Sequence, residues 1–237
     1  MPFKFKQFTI YQDKCAMKIG TDGVLLGAWT SIKNHPDSIL DIGTGTGIIA
    51  LQLAQRSDAS TIDAIELDDN AYEQAVENFE NSNWGDRLFC YHTSLEEFTN
   101  EIDDKYDLII SNPPFYNDQF ESTNRSRNKA RFTSSLSFDS LLISNSKLLS
   151  TAGVFSTIIP FKEEQNFIKI AEKNKLFPTR ICRVKGNPSS EIKRSLLEFS
   201  FEKNNPIITN LIIEINRHEY TDDYTELVKD FYLKMDS

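Results

Sequence analysis

Short apolar runs alternate with amphipathic stretches along the middle of the chain. Ser38–Ile42, Thr61–Glu66, Leu88–His92, Tyr106–Ser111 and Val154–Ile159 are brief and apolar, the length of buried strands. Between them Ile48–Gln55, Asp69–Asn81, Phe138–Leu149 and Phe161–Asn174 read as helices, with Ala71, Ala75, Val76 and Phe79 at helical spacing in the second. Strands separated by helices imply right-handed crossovers and a parallel sheet covered on both faces. The rhythm then changes. Arg180–Lys185, Ser195–Phe201 and Ile207–Ile215 are strands with no helix-length spacer, so they predict an antiparallel finish, and Thr225–Leu233 predicts a closing helix. The expected architecture is a single α/β domain over 1–237 with a seven-stranded, mostly parallel sheet whose final strands are antiparallel. Residues 1–36 precede the first core strand and read as an appended segment; 37–160 form the core, and 161–237 the half with antiparallel strands.

Composition narrows the class. Hydrophobic residues at 39% with 11% aromatics are enough for a core and rule out wholesale disorder. No apolar run reaches the roughly 20 residues a bilayer span needs, and Met1–Lys6 offers no stretch for a signal peptide. Cys15, Cys90 and Cys182 lie far apart, which fits a reduced cytoplasm better than a disulfide framework or a zinc ribbon. His35, His92 and His218 are isolated and lack metal-ligand spacing, so no metal is expected. Trp29 and Trp84 read as packing residues.

A net charge of −9 argues at first against a nucleic-acid partner. The charge is not evenly spread, however. Residues 37–107 hold 17 acids against 3 bases, a net −14, so the rest of the chain sums to +5. Arg125, Arg127, Lys129 and Arg131 fall within seven residues that contain no acid. On its own such a run is as readily a solvated loop as a binding segment.

Two motifs carry the chemistry. Asp41-Ile42-Gly43-Thr44-Gly45-Thr46-Gly47 joins the first core strand to its helix, where glycines permit a sharp turn and close ligand approach to the helix amino terminus. Ile48 stands where a dinucleotide fingerprint needs glycine, and no Gly-Lys-Ser/Thr follows as in a P-loop. Glu66 ends the next strand, placed to accept hydrogen bonds from ribose hydroxyls. The structural alternative is a tight turn with a surface glutamate.

The second motif is Asn112-Pro113-Pro114-Phe115, at the end of an apolar strand, where open α/β sheets place their ligands. An exocyclic amine is a poor nucleophile while its lone pair is delocalised into a ring. An Asn side-chain oxygen and a Pro carbonyl can accept its two N–H bonds and favour a pyramidal nitrogen. Two prolines hold that carbonyl rigidly, and Phe115 offers a face for a planar group to stack on.

The glycine loop and Glu66 resemble the cofactor pocket of class I S-adenosylmethionine-dependent methyltransferases, which implies a Rossmann-like fold. The resemblance carries to Asp41, Gly43, Gly45, Gly47 and Glu66. The acid often found after the third strand of that family is absent here, and Ser94 or Leu95 is expected to face the adenine instead. The NPPF run resembles the motif of amino-methyltransferases acting on adenine N6, guanine N2 or glutamine amides, which assigns Asn112, Pro113, Pro114 and Phe115 to catalysis. Phe3–Phe8, Cys15–Trp29 and Tyr220–Lys234 are similar to bacterial tRNA adenine N6-methyltransferases that modify adenine-37 of a valine tRNA. In that resemblance Thr21 or Asp22 caps the helix running through Trp29 and lines the cofactor site. It implies S-adenosylmethionine as cofactor, the tRNA anticodon stem-loop as partner, and a cytoplasmic monomer with no membrane or metal partner. Arg125, Arg127, Lys129 and Arg131 then become candidate RNA contacts, with Arg180, Arg183, Lys185, Lys193 and Arg194 and the amino-terminal lysines extending the track. Guanine N2 in rRNA, a protein glutamine, and a non-catalytic RNA-binding or assembly factor remain as alternatives.

Overall fold

The computed structural model describes residues 2–114 and 136–235. An amino-terminal hairpin, β1 (Phe3–Lys4) and β2 (Thr9–Ile10), precedes helix α1 (Thr21–Trp29). The core then runs β3 (Ser38–Ile42), α2 (Ile48–Arg56), β4 (Thr61–Glu66), α3 (Asp69–Glu80), β5 (Leu88–His92), α4 (Leu95–Glu101) and β6 (Tyr106–Ser111). After it come α5 (Phe138–Leu148), β7 (Leu149–Pro160), a 3-10 turn, α6 (Glu164–Lys173), β8 (Phe177–Lys185), β9 (Ile192–Ser200) and β10 (Ile207–Ile212). A small hairpin, β11 (Glu214–Asn216) and β12 (Glu219–Tyr220), leads to α7 (Asp222–Val228).

The main sheet has eight strands in the order β10-β8-β9-β7-β6-β3-β4-β5. The sequence predicts seven strands, but all eight of the apolar runs read from it join the sheet, Ile207–Ile212 (β10) at its edge. Only β9 opposes its neighbours; β10 pairs parallel with β8. The strands β8, β9 and β10 still alternate in direction along the chain, as short connections require. One edge of β9 is taken by β7 and the other by β8, so β10 lands on the outer side of β8.

Strand residues alternate between two apolar layers. Ile39, Leu108, Ile110, Ile158 and Leu196 pack with α1, α2, α3 and α7, whereas Leu40, Ile109, Ile159 and Leu197 pack with α4, α5 and α6. The amino-terminal hairpin is built into the first layer: Phe5 and Phe8 are buried, their rings 4.8 Å apart, and Phe5 also lies 5.7 Å from Tyr232. Chain order reverses between β3 and β6, because β4 and β5 extend one way and β7 the other. Open α/β sheets bind ligands at the carboxyl ends of strands beside such a reversal.

Candidate active site

Both motifs meet at that reversal. Ile42 and Ser111 are register partners on β3 and β6, so Gly43 and Asn112 leave adjacent strands, whose spacing is about 4.8 Å. The Ser111 hydroxyl, fully buried, donates to the Ile42 carbonyl at 2.9 Å and locks the two strand ends together.

Gly43, Gly45 and Gly47 have φ of +71°, +57° and +81°. A Cβ on Gly43 or Gly45 would meet no atom of another described residue within 4 Å, so among the described residues the loop presents bare backbone to open space. Gly47 differs: a Cβ there would lie 2.5 Å from Phe79 Cε1, because α3 packs directly on it. Glu66, half-buried, accepts the Gly45 amide at 2.9 Å and the Leu67 and Asp68 amides at 2.9 and 3.0 Å. These bonds fix the carboxylate at the lip of the loop.

Asp41 lies beneath the loop, fully buried. The Thr44 hydroxyl donates to its Oδ2 at 2.6 Å, while Oδ1 makes no hydrogen bond of full geometry among the described residues and has only the Ala50 amide near the carboxyl. Burial pushes this carboxyl up to about 7; the Thr44 hydroxyl and nearby Ala50 amide pull the other way, and the Glu66 charge adds to the rise. A buried carboxylate oxygen without a partner costs free energy that a ligand's ammonium would recover. Open glycines, a fixed Glu66 carboxylate and this lone oxygen together fit S-adenosylmethionine.

Asn112 is half-buried and its side chain makes no hydrogen bond to another described residue; Pro113 is buried and Pro114 exposed. Phe115, Arg125, Arg127, Lys129 and Arg131 lie outside the described residues.

The remaining candidates divide. Helix α1 starts at Thr21 with Gly20 as its cap and no side-chain cap bond, so neither Thr21 nor Asp22 caps it. Asp22 is instead drawn to β9, accepting from Arg194 Nε at 2.8 Å. Ser94 is the N-cap of α4, a helix the sequence reading missed, and its amide and hydroxyl are engaged with Glu97 in a capping box. Leu95 is buried in the second apolar layer. Of the longer basic track, Arg180 stacks 4.2 Å over Trp29, at the end of α1 remote from Thr21, and its Nη1 donates to both carboxylate oxygens of buried Glu198. Arg183 forks onto Glu164, itself buried. These two arginines serve packing. Lys193 is exposed and Lys185 half-exposed at the carboxyl edge of the sheet.

Sequence reasoning passed over three residues. Leu67 is 50% exposed directly after Glu66, an apolar surface on the ribose side. Asn78, buried on α3, bonds to the glycine loop. Gly27 on α1 leaves room for Gln52 of α2, whose Oε1 would lie 2.2 Å from a Cβ there; an apolar Gly-x-x-x-Gly spacing (Gly23, Gly27) was its signal. Burial, reinforced by the Glu66 charge, pushes the Cys15 thiol up to about 11, so it is no thiolate nucleophile at neutral pH. Among the described residues no group of three His, Cys, Asp or Glu could hold a metal, and no helix is long and apolar enough to cross a membrane.

A sheet of this order, with an open glycine turn after β3 and a fixed carboxylate after β4, defines a class I methyltransferase. Solved structures agree on the fold: a predicted O-methyltransferase from Agrobacterium tumefaciens matches with a TM-score of 0.68 at 16% identity, covering 89% of this chain and 96% of the other. A putative RNA methyltransferase from Pyrococcus horikoshii matches at 0.53 and 15% identity, over 75% and 79%. Residues 20–130 match the family model described as Methyltransferase small domain. A protein of Christiangramia forsetii, named tRNA1(Val) (adenine(37)-N6)-methyltransferase, is 59% identical over 99% of this chain and 98% of its own length. A Flavobacterium psychrophilum protein of the same name is 56% identical over 98% and 100%. The chain belongs to the tRNA1(Val) (adenine(37)-N6)-methyltransferase family.

Proposed function

We propose that this protein methylates the N6 amine of adenine-37 in tRNA1(Val), as a cytoplasmic monomer using S-adenosylmethionine. The observation that carries the proposal is an Asn-Pro-Pro turn leaving the sheet beside an open glycine cradle, in a chain 59% identical to a relative named for that reaction. Asp41, Gly43, Gly45, Gly47 and Glu66 would hold the cofactor, with Thr21 and Asp22 lining the site from α1 and Ser94 and Leu95 bordering its adenine. When bound, S-adenosylmethionine supplies an electrophilic methyl group on a sulfonium sulfur.

The chain's own residues prepare the nucleophile. The Asn112 side-chain oxygen and the Pro113 carbonyl accept the two N–H bonds of the amine, which draws the nitrogen lone pair out of conjugation. Pro113 and Pro114 fix the backbone at φ near about −65°, so the accepting carbonyl needs no ordering when the base arrives. No carboxylate base is required, since the nitrogen gives up its proton readily once it carries the methyl group. Phe115 stacks on the base, and an anticodon-loop nucleotide is already single-stranded, which keeps the cost of flipping it low. Arg125, Arg127, Lys129 and Arg131 contact the RNA phosphates, so affinity falls as salt rises.

Purified protein, S-adenosylmethionine and tRNA1(Val) transcript, followed by nucleoside mass spectrometry, test the proposal. N6-methyladenosine is expected in that transcript and not in one carrying guanine at position 37. Methylation of both transcripts, or of neither, overturns it; N2-methylguanosine would redirect the chemistry to guanine.

A further inference from the structure

We propose that Asn78 is a positioning residue for the cofactor loop and ties that loop to the amino-terminal segment through one buried amide. The inference rests on the cofactor reading above. The Asn78 side chain is 1% exposed. Its Nδ2 donates to the Thr46 carbonyl at 2.9 Å and to the Tyr11 carbonyl at 2.8 Å, and its Oδ1 accepts the Tyr11 amide at 2.8 Å. Both N–H groups and one acceptor site are thereby used, which allows only one orientation of the carboxamide.

The contact at Thr46 matters because of where that carbonyl stands. It lies between Gly45 and Gly47, two residues whose backbone has little steric preference of its own. A peptide unit is planar, so anchoring the Thr46 carbonyl also aims the Gly47 N–H, which donates to the Thr44 carbonyl at 2.9 Å. The next residue of α3, Phe79, packs against the Gly47 Cα. Asn78 and Phe79 therefore hold the loop by a hydrogen bond and a steric stop from the same helix turn.

On its other side Asn78 seats the strap from Tyr11 to Lys14. One turn earlier Gln74, also 1% exposed, accepts the Lys14 amide at 3.1 Å, and the Lys14 ammonium sits between Glu73 and Glu77 at 3.1 and 2.7 Å. The chain then continues to Cys15, which is buried and feels the Glu66 charge. The strap thus runs from the loop anchor toward the carboxylate that would hold the ribose. Gln74 grips the strap alone; Asn78 grips strap and loop together.

Titration calorimetry with S-adenosylhomocysteine, combined with hydrogen exchange, separates these roles. In the wild-type chain, S-adenosylhomocysteine is expected to slow exchange of the Tyr11–Lys14 amides about tenfold, in step with residues 44–47. Asn78→Ala is expected to weaken binding about tenfold and to abolish that linked protection. Its cofactor KM rises while kcat at saturating cofactor stays within about threefold. Gln74→Ala loosens the strap but leaves S-adenosylhomocysteine affinity within about threefold of wild type. A folded Asn78→Ala with wild-type affinity overturns the proposal, as does a Gln74→Ala that weakens binding equally. If Asn78→Ala does not fold, wild-type exchange decides: strap amides indifferent to S-adenosylhomocysteine overturn it. A wild-type chain that fails to bind S-adenosylhomocysteine at all overturns the cofactor reading, and the proposal with it.

Discussion

Two glycines of one loop are expected to respond differently to the same substitution, one mainly in affinity and the other mainly in stability. Gly45 and Gly47 both have positive φ, +57° and +81°, so alanine at either adds left-handed strain of about 1–2 kcal/mol. At Gly45 no other described residue opposes a methyl group within 4 Å. At Gly47 it would sit 2.5 Å from Phe79 Cε1 and 3.2 Å from Cζ, well inside contact distance, and Phe79 is only 2% exposed and cannot swing away. Such overpacking adds about 1–3 kcal/mol. Gly47→Ala is therefore expected to lose about 2–5 kcal/mol of stability, or roughly 5–15 °C in Tm for a domain of this size. Gly45→Ala should lose only about 1–2 kcal/mol, yet its methyl group occupies the open space offered to the cofactor. Urea denaturation gives the stabilities, and calorimetry with S-adenosylhomocysteine gives the affinities. The reasoning fails if both variants are equally destabilised, or if Gly45→Ala binds as tightly as wild type.

Three further outcomes follow from the site. Asn112→Ala should lower methyl transfer at saturating cofactor about 10²–10³-fold while leaving S-adenosylhomocysteine binding unchanged, and near-normal turnover would refute its role. Glu66→Gln keeps the size but not the charge that ribose hydroxyls would address, so affinity should fall roughly 10–100-fold by calorimetry; an unchanged Kd would show the carboxylate to be structural only. Asp41, held near pKa 7 chiefly by burial with Glu66 and Cys90 as its titratable neighbours, is raised above the unfolded value of about 3.9. Its contribution to stability is thus complete below about pH 4 and lost as pH rises through about 7. A cationic cofactor favours the ionised form, so binding near neutral pH should release a proton and tighten as pH rises. Binding enthalpies that do not vary with buffer ionisation heat, or that vary equally in Asp41→Asn, would exclude this.

The core was legible where short, mainly apolar runs are bounded by turn residues, including the edge strand Leu88–His92, in which only Leu88 is buried. Ser38–Ile42, Thr61–Glu66, Leu88–His92 and Tyr106–Ser111 are buried on both faces or flanked by clear turn residues, and the observed strands have the same bounds. Helix α4 escaped because Glu96, Glu97 and Glu101 leave only Leu95 and Phe98 as its apolar pair, too few for periodicity to register. The parallel pairing of β10 escaped because sequence gives strand direction through connection length, not the edge on which a strand lands. The glycine loop and the Asn-Pro-Pro turn were readable as motifs, since their residue types are dictated by backbone geometry. Asn78 was not: a buried amide in a helix has no local signal, and its purpose exists only once Tyr11 and Thr46 are brought to it. The arginines misled for a related reason, because the carboxylates that neutralise Arg180 and Arg183 come from other strands and helices.

The hairpin at the start of the chain is seated by residues near its end. Phe5 bridges to Tyr232, and the Lys6 amide donates to the Phe231 carbonyl at 2.8 Å. On a ribosome these partners are separated by almost the whole period of synthesis. Phe3 and Phe5 therefore lack the Tyr232 ring they pack against until residue 232 has been made. The Tyr11–Lys14 strap has its own anchors on α3, at Asn78 and Gln74, and does not depend on Phe231 or Tyr232 directly. Losing the Phe231–Tyr232 segment would therefore release the hairpin at Phe5 and Lys6, more than two hundred positions away in sequence.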